Sequence, residues 1–194
     1  MTVGSHLSDA ALFLVDTILG IYILLVLLRF LLQLVRADFY NPISQFIVRA
    51  TNPPLVRLRR FIPGLWGVDL AALLLLIAME AIRVSITAML LGHIPRLTGI
   101  IFLSLGQLAR LAVYTIIFSI LIRALLSWFS SELHHPLKKL LYSFSEPMLR
   151  PVRRIVPASS GIDISPIVVF IFLTLVLKLF VNPLIDLGKS MIPL

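Results

Sequence analysis

Cysteine is absent from the 194-residue sequence, and charged residues are scarce. Without cysteine, the chain has no disulfide, no thiolate nucleophile and no cysteine-ligated metal or iron–sulfur cluster. Charged residues make up 13% of the sequence, compared with about 25% in ordinary soluble domains, and hydrophobic residues make up 59%. So few polar side chains cannot cover the surface of a water-soluble domain, and the mean hydropathy of +1.04 agrees with this. The composition therefore predicts a membrane protein.

Motifs that carry chemistry are missing as well. The sequence has no Ser/His/Asp-type order, no glycine-rich phosphate loop and no H-E-x-x-H helix, so we do not expect an enzyme. His134 and His135 are adjacent but have no third ligand at a helical spacing, and we expect neither a metal site nor another cofactor. The net charge of +8 permits contact with phosphate, but without interleaved aromatics or a recognition motif no nucleic-acid partner is expected. In a membrane protein this charge bears first on topology and on anionic lipid.

Four segments have the roughly 20 predominantly apolar residues that a membrane-spanning helix needs. They run from about Ala11 to Leu34, Leu70 to Leu91, Gln107 to Phe129 and Ile164 to Leu184. The amino terminus lacks the features of a cleaved signal peptide, so the first segment is expected to remain as a span. The apolar stretch 97–106 is too short to cross a bilayer alone, and we interpret it as a loop or interfacial lead-in to the third span.

The second half of the chain repeats the first at an offset of 94 residues. Across the 41 positions from 29 to 69 there are eleven identities, and eight of them are Arg, Pro, Gly or Asp. Chance in a leucine-rich chain would give about three, mostly leucine. Each copy contains two spans, so the copies run parallel. We predict an all-α membrane protein with four transmembrane helices in two parallel repeats, residues 1–94 and 95–194.

Positive residues set the orientation, because cytoplasmic loops are enriched in Lys and Arg. Most of the basic residues outside the spans lie between spans one and two and between spans three and four. We therefore expect both connectors, residues 36–69 and 130–163, to face the cytoplasm and both termini to face the periplasm of a bacterial inner membrane.

Each connector has the pattern of an interfacial amphipathic helix. Apolar residues recur at helical spacing in "NPISQFIVRATN" and again in "HPLKKLLYSFSE". Pro53 and Pro147 predict that a second short helix begins there, with Asn52 or Ser145 as its N-cap and Pro63 or Pro157 beyond its end.

The basic residues of the connectors are candidates for binding anionic phospholipid headgroups, since guanidinium groups bind phosphate in a bidentate manner. Two alternatives remain: the charges only determine topology, or they dock partner proteins. The candidates are Arg57, Arg59, Arg60, Lys138, Lys139, Arg150, Arg153 and Arg154. Asp69 and Asp163 follow the connectors, and we expect them to cap the next span rather than to carry proton or metal chemistry.

Ionisable residues inside the spans are functional candidates, because charge at membrane depth is costly. Arg29 and Arg123 lie near the connector ends of their spans, where we expect them to extend to the headgroups as anchors. Asp16 and Arg110 occupy equivalent positions in the two copies, so the parallel repeats would place these opposite charges at the same depth as a pair.

Glu80 is the one carboxylate deep in the apolar segments. It can meet Arg83 on one helical face, or it can pair with Lys178 of the fourth span. We favour a counter-ion that holds two spans together over a proton or cation site, because no carboxylate or histidine relay surrounds Glu80.

The sequence resembles the YggT family of small bacterial inner-membrane proteins, which has relatives in cyanobacteria and plastids. The similarity covers about residues 10 to 185. Its most specific parts are "NPPLVRLRRFIP" and "EPMLRPVRRIVP", followed by "GVD" and "GID". The resemblance implies links to osmotic-stress tolerance and ion homeostasis, to division genes, or to plastid cytochrome maturation, and it implies no catalytic residues.

Two functions follow as hypotheses. The first is a non-enzymatic inner-membrane accessory or assembly protein that binds anionic phospholipid and membrane protein partners through its connectors. The second is a small ion channel or transport component that uses Glu80, Arg83 and Lys178. Because four spans enclose little volume, the second function would require a homo-oligomer.

Overall fold

The computed structural model describes residues 3–129, 136–155 and 163–192, which form an all-helical chain. The helices, in chain order, are α1 (Val3–Leu34), α2 (Pro42–Leu58), α3 (Leu70–Leu90), α4 (Leu97–Phe129), α5 (Pro136–Ile155), α6 (Ser165–Val176) and α7 (Asn182–Ser190). A π-helical turn, Leu177–Val181, joins α6 to α7, so that the three run on as one rod. His134 and His135 and the connector segments 130–135 and 156–162 lie outside the described residues.

Four of these helices are long and apolar enough to cross a membrane, as predicted. Their apolar stretches are His6–Leu34, Leu70–Leu90, Leu97–Leu126 and Ser165–Ser190. The hydrophobic residues group into two buried clusters, and each cluster contains residues of both repeats. The first is built mainly on α1 and includes Ile23 and Val26, and the second joins α4 to the α6–α7 rod through Ile120 and Ile185. The chain is therefore a multi-pass membrane protein whose two repeats pack together through shared apolar clusters.

The interpretation of residues 97–106 as a loop is wrong, because α4 begins at Leu97 and is helical throughout this stretch. Its glycines allow α7 to approach closely. A Cβ added to Gly106 would lie 2.5 Å from Ile185 Cγ1, and one added to Gly99 would lie 3.1 Å from the Gly188 carbonyl oxygen. Close backbone contact between helices is stabilised by van der Waals packing, so the contact with α7 stabilises residues 97–106 as a helix. Hydropathy alone did not predict this extension.

Two helices, α2 and α5, lie on one side of the bundle; we call them the connector helices and this side the connector side. Each was predicted as two short helices divided at a proline. Instead α2 contains Pro53 and Pro54, and α5 contains Pro147 and Pro151, without interruption. A proline inside a helix costs about 3 kcal/mol, so other contacts must hold these turns together.

Pro183 explains the π-helical turn. Because it has no backbone N–H, the preceding turn loses a hydrogen bond, and the helix widens over Leu177–Val181. The fourth span consequently continues past the predicted end at Leu184 to Ser190.

Candidate functional site

Arg29 joins α1 to the first connector helix. The sequence places it one turn before the end of α1, where its guanidinium reaches the middle of α2. Its Nη1 donates hydrogen bonds to the Val48 carbonyl at 3.1 Å, to Thr51 Oγ1 at 2.9 Å and to Asn52 Oδ1 at 2.8 Å. Only 5% of Arg29 is exposed. The expected extension to the headgroups is therefore wrong for Arg29, which binds its own connector.

Arg123 makes the equivalent connection in the second repeat. Its Nη1 donates to Ser145 Oγ at 2.7 Å and to Glu146 Oε2 at 2.9 Å, and its guanidinium carbon lies 3.6 Å from the centre of the Tyr142 ring. Ser145 and Glu146 are offset by 94 from Thr51 and Asn52. We call these two groups the arginine clamps: Arg29 with Thr51 and Asn52, and Arg123 with Ser145 and Glu146.

The clamps act on the turn that precedes each proline. Within that turn Thr51 Oγ1 donates to the Ile47 carbonyl, and Ser145 Oγ donates to the Leu141 carbonyl, both at 2.7 Å. Asn52 and Ser145 were predicted to cap new helices, but their side chains bind an arginine instead. Because the clamps fix the turns before the prolines, each connector continues as one helix.

A second repeated contact ties the end of each connector to the next span. Arg59 forms an ion pair with Asp69, and Arg153 Nη2 lies 2.7 Å from Asp163 Oδ2. Each aspartate also accepts a backbone hydrogen bond at the start of that span. Ala72 N donates to Asp69 Oδ1 at 3.1 Å, and Ser165 N donates to Asp163 Oδ1 at 3.0 Å. Arg153 additionally contacts Glu146 at 3.3 Å, which connects it to the clamp.

The environment of Asp163 lowers the pKa of its carboxyl group. Partial burial opposes ionisation, but hydrogen bonds from Ser165 and the charge of Arg153 outweigh it. Asp163 is therefore ionised at neutral pH, and its contribution to stability is present above the ordinary value of 3.8 and lost as the pH falls through the lower folded-state pKa.

The remaining predicted basic residues differ in exposure. Lys138 is buried, with 9% of the residue exposed. The others are exposed on the connector helices or directly after them, and these are Arg57, Arg60, Lys139, Arg150 and Arg154. Arg60 and Arg154 are equivalent, and each precedes an apolar residue that is almost fully exposed: Phe61 at 83% and Ile155 at 81%. Arg59 and Arg153 differ from these residues because they form ion pairs with aspartates.

A polar network lies inside the spanning bundle and is centred on Arg83. Its Nε donates to Glu80 Oε2 at 3.2 Å, and its Nη1 donates to Asp16 Oδ1 at 3.3 Å. Nη2 donates to Gln107 Oε1 as well as to Glu80 Oε1. Glu80 is only 2% exposed. Arg83 therefore links α1, α3 and α4.

Two expected pairs in the spans are not formed. Asp16 binds Arg83 rather than Arg110, because α3 packs against both α1 and α4 and supplies the nearer cation. Arg110 instead donates to Asn182 Oδ1 at 3.2 Å. Lys178 is exposed on the π-helical turn, and among the described residues Glu80 has Arg83, not Lys178, as its ion-pair partner.

Three of the cavities formed by the described residues lie along the bundle. One of about 390 Å³ is on the side opposite the connectors and is lined by Asp16, Arg83 and His93 among others. A second, of about 180 Å³, is at the level of Glu80 and Arg110. The third, of about 450 Å³, lies between α1 and α4 on the connector side, and we call it the connector-side crevice.

Several of these residues were not predicted as site residues, namely Thr51, Asn52, Ser145, Glu146, Gln107 and Asn182. The clamp residues carried a signal that could have identified them, since a small hydroxyl residue stands two positions before a repeated proline in both copies. Gln107 and Asn182 are not equivalent in the repeat, so no sequence signal singled them out.

Comparison with known proteins agrees with the repeated geometry. A family model, CCB3/YggT, matches the chain twice, over residues 8–90 and 102–184. The chain belongs to the CCB3/YggT family. The two matches begin 94 residues apart, which is the offset that relates the two clamps and the two Arg–Asp pairs. The resemblance to the YggT family is thereby confirmed, as is the tandem repeat.

Curated members of the CCB3/YggT family are similar along most of their length. An uncharacterized protein of Pseudomonas aeruginosa is 41% identical over 180 residues, covering 92% of this chain and 91% of the relative. A Vibrio alginolyticus protein encoded in the proC 3′ region is 40% identical over 161 residues, covering 82% of this chain and 86% of the relative. The Escherichia coli K12 protein YggT is 32% identical over 181 residues, covering 93% of this chain and 94% of the relative. No solved structure matches the chain.

Proposed function

We propose that the chain is a non-enzymatic accessory protein of the bacterial inner membrane, whose connector helices bind anionic phospholipid at the cytoplasmic face and dock membrane protein partners. The observation that carries the proposal is the repeated pair of exposed residues at the connector ends, Arg60 with Phe61 and Arg154 with Ile155. A cation beside an exposed apolar side chain suits the boundary between headgroups and acyl chains. Each such cation near an anionic leaflet contributes about 1 kcal/mol.

The paired arginines support the same assignment by elimination. Arg59 and Arg153 are neutralised by Asp69 and Asp163, so they hold the connectors against the spans. The neighbouring Arg60 and Arg154 are left to contact phosphate. In this arrangement a rigid, clamped helix presents its cations at a fixed depth, which reduces the conformational entropy lost on binding.

Native mass spectrometry with mixed phosphatidylglycerol and phosphatidylcholine tests headgroup binding. The double variant Arg60→Gln/Arg154→Gln should show a weaker preference for phosphatidylglycerol than the wild type. A matched control, Arg96→Gln/Lys189→Gln, removes the same charge from exposed residues on the opposite side and should retain the preference. An unaltered preference in the first variant contradicts the proposal.

The competing function is a small oligomeric ion pathway through Glu80 and Arg83. It is favoured by the two cavities that Arg83 lines together with other polar side chains, whereas the close neutralisation of Glu80 by Arg83 favours a structural ion pair. Liposomes that contain an accessory protein should show no ion flux above empty liposomes. Flux that disappears in Glu80→Ala would support the pathway instead.

The family resemblance extends the proposal to osmotic-stress tolerance. A strain that lacks the gene should grow more slowly at high osmolarity, and the Arg60→Gln/Arg154→Gln variant should fail to restore growth if lipid binding underlies the effect. Copurification from native membranes would identify the protein partners.

A further inference from the structure

The connector-side crevice lies where the two repeats face each other. Its walls come from four helices, α1, α2, α4 and α5, and include Leu24, Leu28, Ile47, Phe118, Leu140 and Phe144. It is the largest of the three cavities, at about 450 Å³. The connector helices form its end, so it is enclosed partly by spans and partly by the two clamped helices.

The walls are apolar apart from three hydroxyl side chains, those of Tyr114, Thr115 and Ser119. Thr115 and Ser119 line the crevice, but their hydroxyls donate to carbonyls of their own helix, at 2.8 Å to Leu111 and 2.6 Å to Thr115. They therefore offer no hydroxyl hydrogen to a ligand. Walls of this composition favour an apolar ligand over water or an ion, and in a membrane the apolar molecule at hand is the lipid acyl chain.

The length of the crevice matches one leaflet. Along α4 its walls run from Leu111 to Ile122, which at 1.5 Å per residue is about 16 Å. The hydrocarbon core of a bilayer is about 30 Å thick, so an acyl chain in one leaflet extends over about 15 Å. A chain that entered at the connectors would end near the middle of the membrane, at the level of Leu111.

The charge at the end of the crevice indicates the headgroup. The first turn of α5 carries Lys138 and Lys139, and Leu137 of the same turn lines the crevice. Asn41 Nδ2 donates to the Pro136 carbonyl at 2.6 Å, which brings the starts of both connector helices together there. Lys139 is exposed in the first turn of α5, and a cation beside a helix N-terminus favours a phosphate group.

We propose that the crevice binds one acyl chain of an anionic phospholipid from the connector-side leaflet, with the lipid phosphate at Lys139 and the first turn of α5. The choice of an anionic headgroup rests on the proposed function above. The acyl-chain site rests on the shape and chemistry of the crevice alone. The bound lipid would fill the space between the repeats and hold them at a fixed separation.

A pair of matched tryptophan variants tests the site. Thr115 and Thr174 both donate their hydroxyl to the carbonyl four residues before, Leu111 and Phe170, at 2.8 Å. Thr115 lines the crevice, whereas Thr174 is exposed on the outside of α6. Thr115→Trp fills the crevice and Thr174→Trp does not, although both lose the same hydrogen bond.

Native mass spectrometry of protein extracted from membranes measures the retained lipid. The wild type and Thr174→Trp should each keep one phospholipid after the loosely bound lipid is removed, and Thr115→Trp should keep it about tenfold less. Equal retention in both variants overturns the proposal, as does recovery of a quinone or of a second copy of the chain in place of the phospholipid.

If Thr115→Trp fails to fold, crosslinking of the wild type tests whether an acyl chain occupies the connector-side crevice. Phosphatidylglycerol with a photoreactive group on one acyl chain should label residues 111–122 more strongly than residues 165–176. Uniform labelling of all spans contradicts the site. The headgroup variant Arg60→Gln/Arg154→Gln should keep the crevice lipid, so a weaker headgroup preference and loss of the crevice lipid are separable results.

Discussion

Arg29 and Arg123 illustrate how a charged residue near the end of a span can serve the fold. An isolated arginine at this depth normally extends to the headgroups, because its apolar stem is long enough to bring the charge to water. Here a connector helix lies over the end of the span and supplies the acceptors, with a serine or threonine hydroxyl and a carboxamide or carboxylate in each copy. The guanidinium group is suited to this role because it donates several hydrogen bonds in fixed directions.

Glu80→Ala is expected to destabilise the protein by about 3 kcal/mol, because Arg83 would lose its closest carboxylate inside the spanning bundle. Thermal unfolding in detergent measures the change. Asp16→Asn is the control: its side chain is 51% exposed and 3.3 Å from Arg83, so the loss should be below about 1 kcal/mol. If Glu80→Ala unfolds like the wild type, the Glu80–Arg83 ion pair within α3 does not contribute to stability, and the burial of Glu80 needs another explanation.

Among the helices, α4 and the α6–α7 rod show how small residues determine packing. Gly188 of α7 lies against the backbone of α4, where a Cβ would be 2.6 Å from Leu103 N. A backbone atom cannot move aside as a flexible side chain can. The helices therefore approach as closely as they do only because this position lacks a side chain.

Gly188→Ala is expected to destabilise the protein by about 1–3 kcal/mol, since α7 must shift away from α4 to admit the methyl group. Gly20→Ala in α1 is the matched control, because no atom lies within 4 Å of its added Cβ. Alanine favours a helix over glycine in both cases, so the control should be neutral or slightly stabilising. Equal thermal midpoints for the two variants would show that the α4–α7 contact does not limit stability.

For the whole molecule, the parallel repeat predicts one orientation for both connectors. The absence of cysteine makes this easy to measure, because each introduced cysteine is the sole labelling site. His6→Cys and Lys189→Cys should react with a membrane-impermeant maleimide applied to intact spheroplasts. Arg60→Cys and Lys139→Cys should react only after lysis, since the positive residues of both connectors face the cytoplasm in the proposed topology. Labelling of Arg60→Cys and Lys139→Cys from opposite sides would contradict a parallel repeat.

The sequence predicted the class, the number of spans and the family, and each of these is confirmed. It also gave Arg83 as one of two possible partners for Glu80, the other being Lys178, because residues three apart on a helix share a face. It did not predict Asp16 with Arg83 or Arg110 with Asn182, since those contacts depend on how the helices pack. The repeat offset even favoured the wrong partner for Asp16, because equivalent depth does not imply contact when another helix lies between.

By itself, then, the sequence determined an all-helical membrane chain built from two copies, because apolar length and repeated residues are local properties. Only the tertiary structure decided what the repeated connectors do with their arginines. Arg29 and Arg123 clamp the turns before the prolines, Arg59 and Arg153 neutralise aspartates, and Arg60 and Arg154 remain exposed. The sequence shows the same cation at each position, and the difference arises from which acceptors the folded chain brings within hydrogen-bonding distance.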